Sequence, residues 1–293
     1  MCRATTQHLG GGFMRGPWQQ RSSLWQADIA SIVLLIVFVL AIFGLEAWLQ
    51  PQFTPTTLVL TGIFIALVPA IVWLAFFYRR DRLEPEPKHL VMQMVILGGL
   101  LASAVGIPVV DGLFAVPNWL SDSPAWAQLL GGFLIVGMTQ EFLKYAAVRF
   151  SVYYAADFDE AIDGIIYTTA VAIGFAVVLN INFVVSSGGV DLGSGAIRIV
   201  LTTLAQASFA GVVGYFLGRM KFEKRPLWWM PLGLTIAAAL NSLFYFLRGT
   251  LSQGGLGTVN SWVGLVLAAA LAGIITWFLS RSIQHDLAVH GGD

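Results

Sequence analysis

Charge is what this chain has least of. Asp, Glu, Lys and Arg supply 11% of its 293 residues, against 57% from the apolar and aromatic set, and mean hydropathy is +0.77. Soluble domains are about 25% charged, and even a large one leaves about a quarter of its unfolded surface in water. So apolar a chain excludes a single soluble core, and it reads as an integral membrane protein. Sixteen basic residues offset sixteen acidic ones, so net charge offers nothing to a polyanion and no nucleic-acid partner is expected. The single cysteine, Cys2, excludes an internal disulfide. Histidine is nearly missing as well. His8, His89, His285 and His290 all lie in tails or at a span boundary, which leaves mid-membrane positions without an imidazole. Internal repeats and inverted pairs of broken helices are also lacking, which argues against a secondary transporter.

What is present is a series of long apolar runs. A hydrocarbon core about 30 Å thick takes about 20 apolar residues per helix, and eight stretches meet that length: 29–49, 56–78, 90–110, 128–150, 162–185, 196–218, 227–247 and 259–280. The expected fold is all-α, a polytopic bundle of eight transmembrane helices. It forms one domain over 29–280 between an N-terminal tail, 1–28, and a C-terminal tail, 281–293. The first run is too long and lacks the small-residue site of a cleaved signal, so it is expected to stay as an anchor; Met1 and Met14 are both available as starts.

Basic residues are unevenly placed among the connections. Arg3, Arg15, Arg21, Arg79, Arg80, Arg82, Lys88, Arg149, Arg219, Lys221, Lys224, Arg225 and Arg281 fall on one set of faces, and only Arg198 and Arg248 on the other. That asymmetry places both termini in the cytoplasm. Membrane lipids are therefore the first expected partners, with the basic runs at 79–89 and 219–225 on the face where anionic head groups gather.

Ionisable groups inside a span cost several kcal/mol unless paired, so they mark candidate sites. The fourth span carries Gln140, Glu141 and Lys144, whose three- and four-residue spacings put them along one stripe. A Glu141–Lys144 pair is one reading. Another joins Lys144 to Asp163, which opens the fifth span after Asp157, Asp159 and Glu160, residues suited to complementing a helix N-terminus. Asn180, Gln206 and Asn241 are the remaining deep amides. By helical rise, Leu179, Gln206 and Asn241 fall at about one depth, roughly 20 Å from the inner boundary. Interhelical hydrogen bonding accounts for any single amide, at about 0.6 kcal/mol each.

These segments resemble, in order, those of the PrsW-type intramembrane metalloproteases, relatives of the CAAX and bacteriocin-processing proteases. The likeness runs over about residues 60–250. It is carried by RRDRLEPEPKH at 79–89, QEFLK at 140–144, FDEAIDGIIYTTAVAIGFAVVLNINFV at 158–184, AQASFAGVVGYFLG at 205–218 and ALNSLFYFL at 239–247. The resemblance implies a bacterial cytoplasmic membrane location and a zinc ion held by glutamates and histidines, with a glutamate taking the proton of a metal-bound water. It also implies which positions matter. Glu141 and Lys144 keep the family's residues, whereas Gln140 stands for a glutamate, Leu179 for a glutamate beside a retained Asn180, and Gln206 and Asn241 for histidines.

A leucine and neutral amides are poor replacements for zinc ligands, so no metal and no other cofactor is expected. The leading expectation is a catalytically inactive member that serves as a binding, scaffold or accessory subunit for a transmembrane partner or larger membrane complex. The alternative is an active metal-dependent peptidase using Glu141 with non-standard ligands, zinc then being its cofactor. A channel or proton relay through Glu141, Lys144 and Asp163 is a third reading, opposed by the lack of any file of ionisable groups across the outer half.

Overall fold

A computed structural model of the protein describes residues 17–49, 53–80, 86–189 and 192–253, together with the single positions 266 and 270. All regular structure among them is helical. Helix α1 spans Pro17–Leu49, α2 Pro55–Arg80 and α3 Lys88–Leu101. The third helix runs on through two π-helical stretches, Ala102–Gly106 and Pro108–Leu113. A short α4, Ala125–Gly131, passes through a π turn at Gly132–Gly137 into α5, Met138–Phe150. Then follow α6 at Asp163–Ser186, α7 at Leu192–Phe222 and α8 at Trp229–Gln253.

Five continuous helical stretches among the described residues are long and apolar enough to cross a membrane: Pro55–Ala75, Lys88–Asn118, Asp163–Ser186, Leu192–Phe222 and Trp229–Arg248. The first expected span corresponds to α1, whose described apolar part is Val33–Leu49. The fourth is the rod α4–π–α5, interrupted by wider turns. The eighth expected span, 259–280, lies outside the described residues but for 266 and 270, as does the centre of the loop at 79–89.

Lipid offers apolar side chains no reason to leave it, so helices in a membrane associate by close packing of backbones. That is what fixes α6 against α7. A Cβ added to Gly214 would come within 2.3 Å of the Gly164 carbonyl oxygen, so neither position has room for a side chain. Elsewhere on α6, a Cβ on Gly174 would fall 1.8 Å from the Val95 carbonyl oxygen of α3. Helix α7 becomes the most enclosed of the bundle. Leu35 and Val39 of α1 pack on its Ile197, Val200, Leu201 and Leu204, and Ile65 and Ala66 of α2 on its Ala196 and Ile199. Glu46 near the end of α1 accepts the Gly193 N–H at 2.9 Å, a carboxylate set against the positive end of the α7 dipole.

The bundle has two distinct ends. At one, Tyr167 of α6 donates to Glu86 just before α3, and Lys221 of α7 donates to the Phe158 carbonyl in the α5–α6 connection. The basic residues Lys88, Arg149, Arg219, Lys221, Lys224 and Arg225 collect there. The other end, where α6 and α8 finish and α7 begins, carries Arg198 and Arg248.

Candidate functional site

The polar side chains of α5, α7 and α8 meet in the middle of the bundle. Gln206 and Asn241 lie near the midpoints of α7 and α8, so the site they form is deep. Lys144 Nζ donates to Glu141 Oε1 at 2.6 Å and to Gln206 Oε1 at 2.8 Å. Gln206 Nε2 donates to Gln140 Oε1 at 2.8 Å. Asn241 Nδ2 reaches both Gln140 Oε1, at 3.0 Å, and Glu141 Oε1, at 2.9 Å. Glu141 and Lys144 are fully enclosed, and the three amides are buried around them. Five residues from three helices thus form one connected network.

Local structure explains why these side chains point together. Gln140, Glu141 and Lys144 share a helix face through their three- and four-residue spacing. The π turn just before them resets the phase of the rod by adding a residue to the turn. Its glycines let α8 approach: a Cβ on Gly137 would fall 2.5 Å from the Ala238 carbonyl oxygen, and one on Gly132 2.7 Å from Ser242 Oγ. Ser242, next to Asn241, donates to the Leu129 carbonyl at 2.7 Å. Adjacent residues of α8 therefore hold the rod on both sides of its π turn.

One atom in the network is left over. Glu141 Oε2 is buried and has no hydrogen-bond partner among the described residues. Such an atom costs about 1–3 kcal/mol or more for a charged group, an expense offset here by the ammonium on the carboxylate's other oxygen.

Of the two pairings expected for Lys144, the structure forms the one with Glu141. Asp163 lies elsewhere. It accepts the Glu160 N–H at 2.6 Å, and Glu86, just before α3, receives the Tyr167 hydroxyl. Asp163 thus bonds back into the loop that precedes α6, while the N-cap position, Ile162, has no side-chain cap.

Leu179 and Asn180 also stand apart from the centre. Asn180 Nδ2 donates to the Ile199 carbonyl at 3.3 Å and to Thr203 Oγ1 at 3.2 Å, about one turn along α7 from Gln206. The antiparallel register that sets Gly164 against Gly214 brings residues near 174 level with Gln206, not 179. Equal distances from a boundary predicted one ring; the staggered starts of α6 and α7 shift Leu179 out of it. Glu86, Tyr167 and Ser242 were not singled out from sequence. Glu86 sits in the acidic, proline-containing 79–89 segment, a signal that was available; Tyr167 and Ser242 had none beyond their neighbours.

The donor set does not suit a zinc ion. A structural or catalytic zinc takes three or four imidazole, thiolate or carboxylate ligands, whereas this centre offers one carboxylate. The Gln140 and Gln206 side-chain oxygens already accept hydrogen bonds, and the Lys144 ammonium occupies ground a cation would need. Among the described residues, no three His, Cys, Asp or Glu side chains come together in a way that would hold a metal.

Residues 86–278 match the sequence profile described as PrsW family intramembrane metalloprotease. Protease PrsW of Bacillus subtilis (strain 168) is 28% identical over 193 residues, which cover 65% of this chain and 84% of that protein. The Geobacillus kaustophilus (strain HTA426) protease PrsW is 31% identical over 160 residues, 55% of this chain and 67% of its own length. That of Shouchella clausii (strain KSM-K16) is 32% identical over 162 residues, covering 55% and 71%. No solved structure matches the chain.

Proposed function

We propose that this chain, which belongs to the PrsW family of intramembrane metalloproteases, is a non-catalytic member that acts as a binding or accessory subunit for a transmembrane partner. The observation carrying this reading is the bond from Lys144 to Glu141 at 2.6 Å, with Gln140, Gln206 and Asn241 closing the rest of the network. A general base must be free to take a proton from the attacking water. Glu141 instead neutralises an ammonium, and its neighbours are amides that neither ligate a divalent ion tightly nor titrate.

A second reading rests on a specific atom. Glu141 Oε2, buried and unpartnered, is the one carboxylate oxygen in the centre open to a new ligand. An active peptidase would use it, with Lys144 displaced.

One experiment separates the two. Elemental analysis of detergent-purified protein is expected to give no stoichiometric zinc, and a single-span reporter in liposomes is expected to stay intact. About one zinc per chain, lost in Glu141→Gln, together with chelator-sensitive cleavage, would establish the enzyme and overturn the proposal.

A further inference from the structure

The only two basic side chains at the far end of the described bundle lie on neighbouring helices, and neither has an acidic partner among the described residues. Arg198 lies eight residues from Gln206 along α7, and Arg248 seven residues from Asn241 along the antiparallel α8. Gln206 and Asn241 are level, since both donate to Gln140 Oε1. At 1.5 Å per residue the two arginines leave their helices at matching heights, about 12 Å and about 10 Å beyond the centre. Helices α7 and α8 pack against each other, which keeps the two positions at the same end and level of the bundle.

Aromatic rings hold both guanidinium groups. Arg198 Cζ lies 3.2 Å from the centroid of the Phe183 ring, and Arg248 Cζ lies 5.4 Å from that of Tyr245. Stacking of this kind covers a guanidinium face and leaves its in-plane N–H groups available. Among the described residues, no side chain or carbonyl accepts a hydrogen bond from either guanidinium and no carboxylate pairs with one. Both side chains are half-buried, and the surface nearby is apolar, with Val185 exposed two residues beyond Phe183. Two like charges brought together in such surroundings repel, and an anion between them removes that cost.

We propose that Arg198 and Arg248 form a binding site for the phosphate of an anionic lipid in the leaflet at this end of the bundle. The hydrocarbon boundary lies about 15 Å from the membrane midplane. Helix positions 10–12 Å out with long side chains bring guanidinium groups to the level of the head-group phosphates. The planar fork of arginine matches phosphate oxygens two at a time. A lipid with no cation in its head group is favoured, because two arginines already supply the positive charge. The site is separate from the Glu141 centre and stands whether or not the chain is a protease.

The test uses the full chain, delipidated in detergent and titrated with phosphatidylglycerol, phosphatidylcholine or inorganic phosphate, with bound lipid read by native mass spectrometry. Phosphatidylglycerol should be retained in preference to phosphatidylcholine. Its affinity should fall about tenfold in R198Q or R248Q and further in the double variant, the loss of one charge-assisted interaction at a time. Retention unchanged in the double variant would overturn the proposal. Displacement of phosphatidylglycerol by millimolar inorganic phosphate would overturn the lipid as the source of the anion. If the glutamine variants do not elute as folded protein, R198K/R248K carries the test. It keeps the charge and removes the fork, so several-fold weaker retention is expected and equal retention refutes the site.

Discussion

Two buried acidic sites in this protein are held in different ways. In mid-bundle, Glu141 meets an ammonium and an amide, and every partner is a side chain from a spanning helix. At the basic end, Glu86 accepts from the Tyr167 hydroxyl and Asp163 from the Glu160 N–H. The first site joins three helices far from water. The second ties the entry of α3 to the entry of α6 where the bundle meets the aqueous phase, and Glu86 retains 9% exposure. Depth decides how much each partner matters. A group that water can reach has a substitute for a lost bond; Glu141 has none.

The largest effect should come from breaking the central pair from one side. Lys144→Met leaves Glu141 enclosed without its cation, and removal of one member of a buried pair costs about 3–5 kcal/mol. Thermal unfolding in detergent should show it as a large fall in midpoint. Glu141→Leu combined with Lys144→Met should restore much of the loss, because the uncompensated charge is gone; a double variant as unstable as the single would show that the pair is not the source. Next in size is Asn241→Leu, which removes the donor shared by Gln140 and Glu141 and should cost about 1–3 kcal/mol. Asn180→Leu, one turn away and bonded to neutral acceptors at 3.2–3.3 Å, should cost about 0.6 kcal/mol. Equal losses at Asn241 and Asn180 would erase the distinction between the centre and an ordinary interhelical amide.

The sequence carries the composition of a membrane bundle and the stripe of Gln140, Glu141 and Lys144 openly, because both depend only on residue type and helical spacing. That Gln206 and Asn241 join this stripe was legible through the family resemblance, which aligns segments that composition alone leaves unconnected. Three features were not legible for physical reasons. The π turn at Gly132–Gly137 obeys no apolar period, since its signature is backbone hydrogen bonding rather than side-chain pattern. The stagger of α6 against α7, set by contacts such as Gly164 on Gly214, moves Leu179 out of the centre although its distance from the boundary agrees. Arg198 and Arg248 entered the sequence reading only as counts for topology, and their convergence depends on the antiparallel pairing of α7 with α8.

An effect well below that of Lys144→Met should come from Tyr167→Phe at the acidic corner. The hydroxyl lost there donates to Glu86. The ring remains stacked on Phe158, with centroids 5.9 Å apart, so packing is kept. One neutral donor is exchanged for water that reaches Glu86 from the membrane surface, and a loss of about 1 kcal/mol follows. A loss as large as that of Lys144→Met would mean that water does not reach this corner and that depth fails to separate the two sites. A loss near 1 kcal/mol, alongside the much larger one at Lys144, would locate the costliest polar contacts of the fold in the Glu141 centre. The Tyr167–Glu86 bond would then serve chiefly to fasten the entry of α3 to α6.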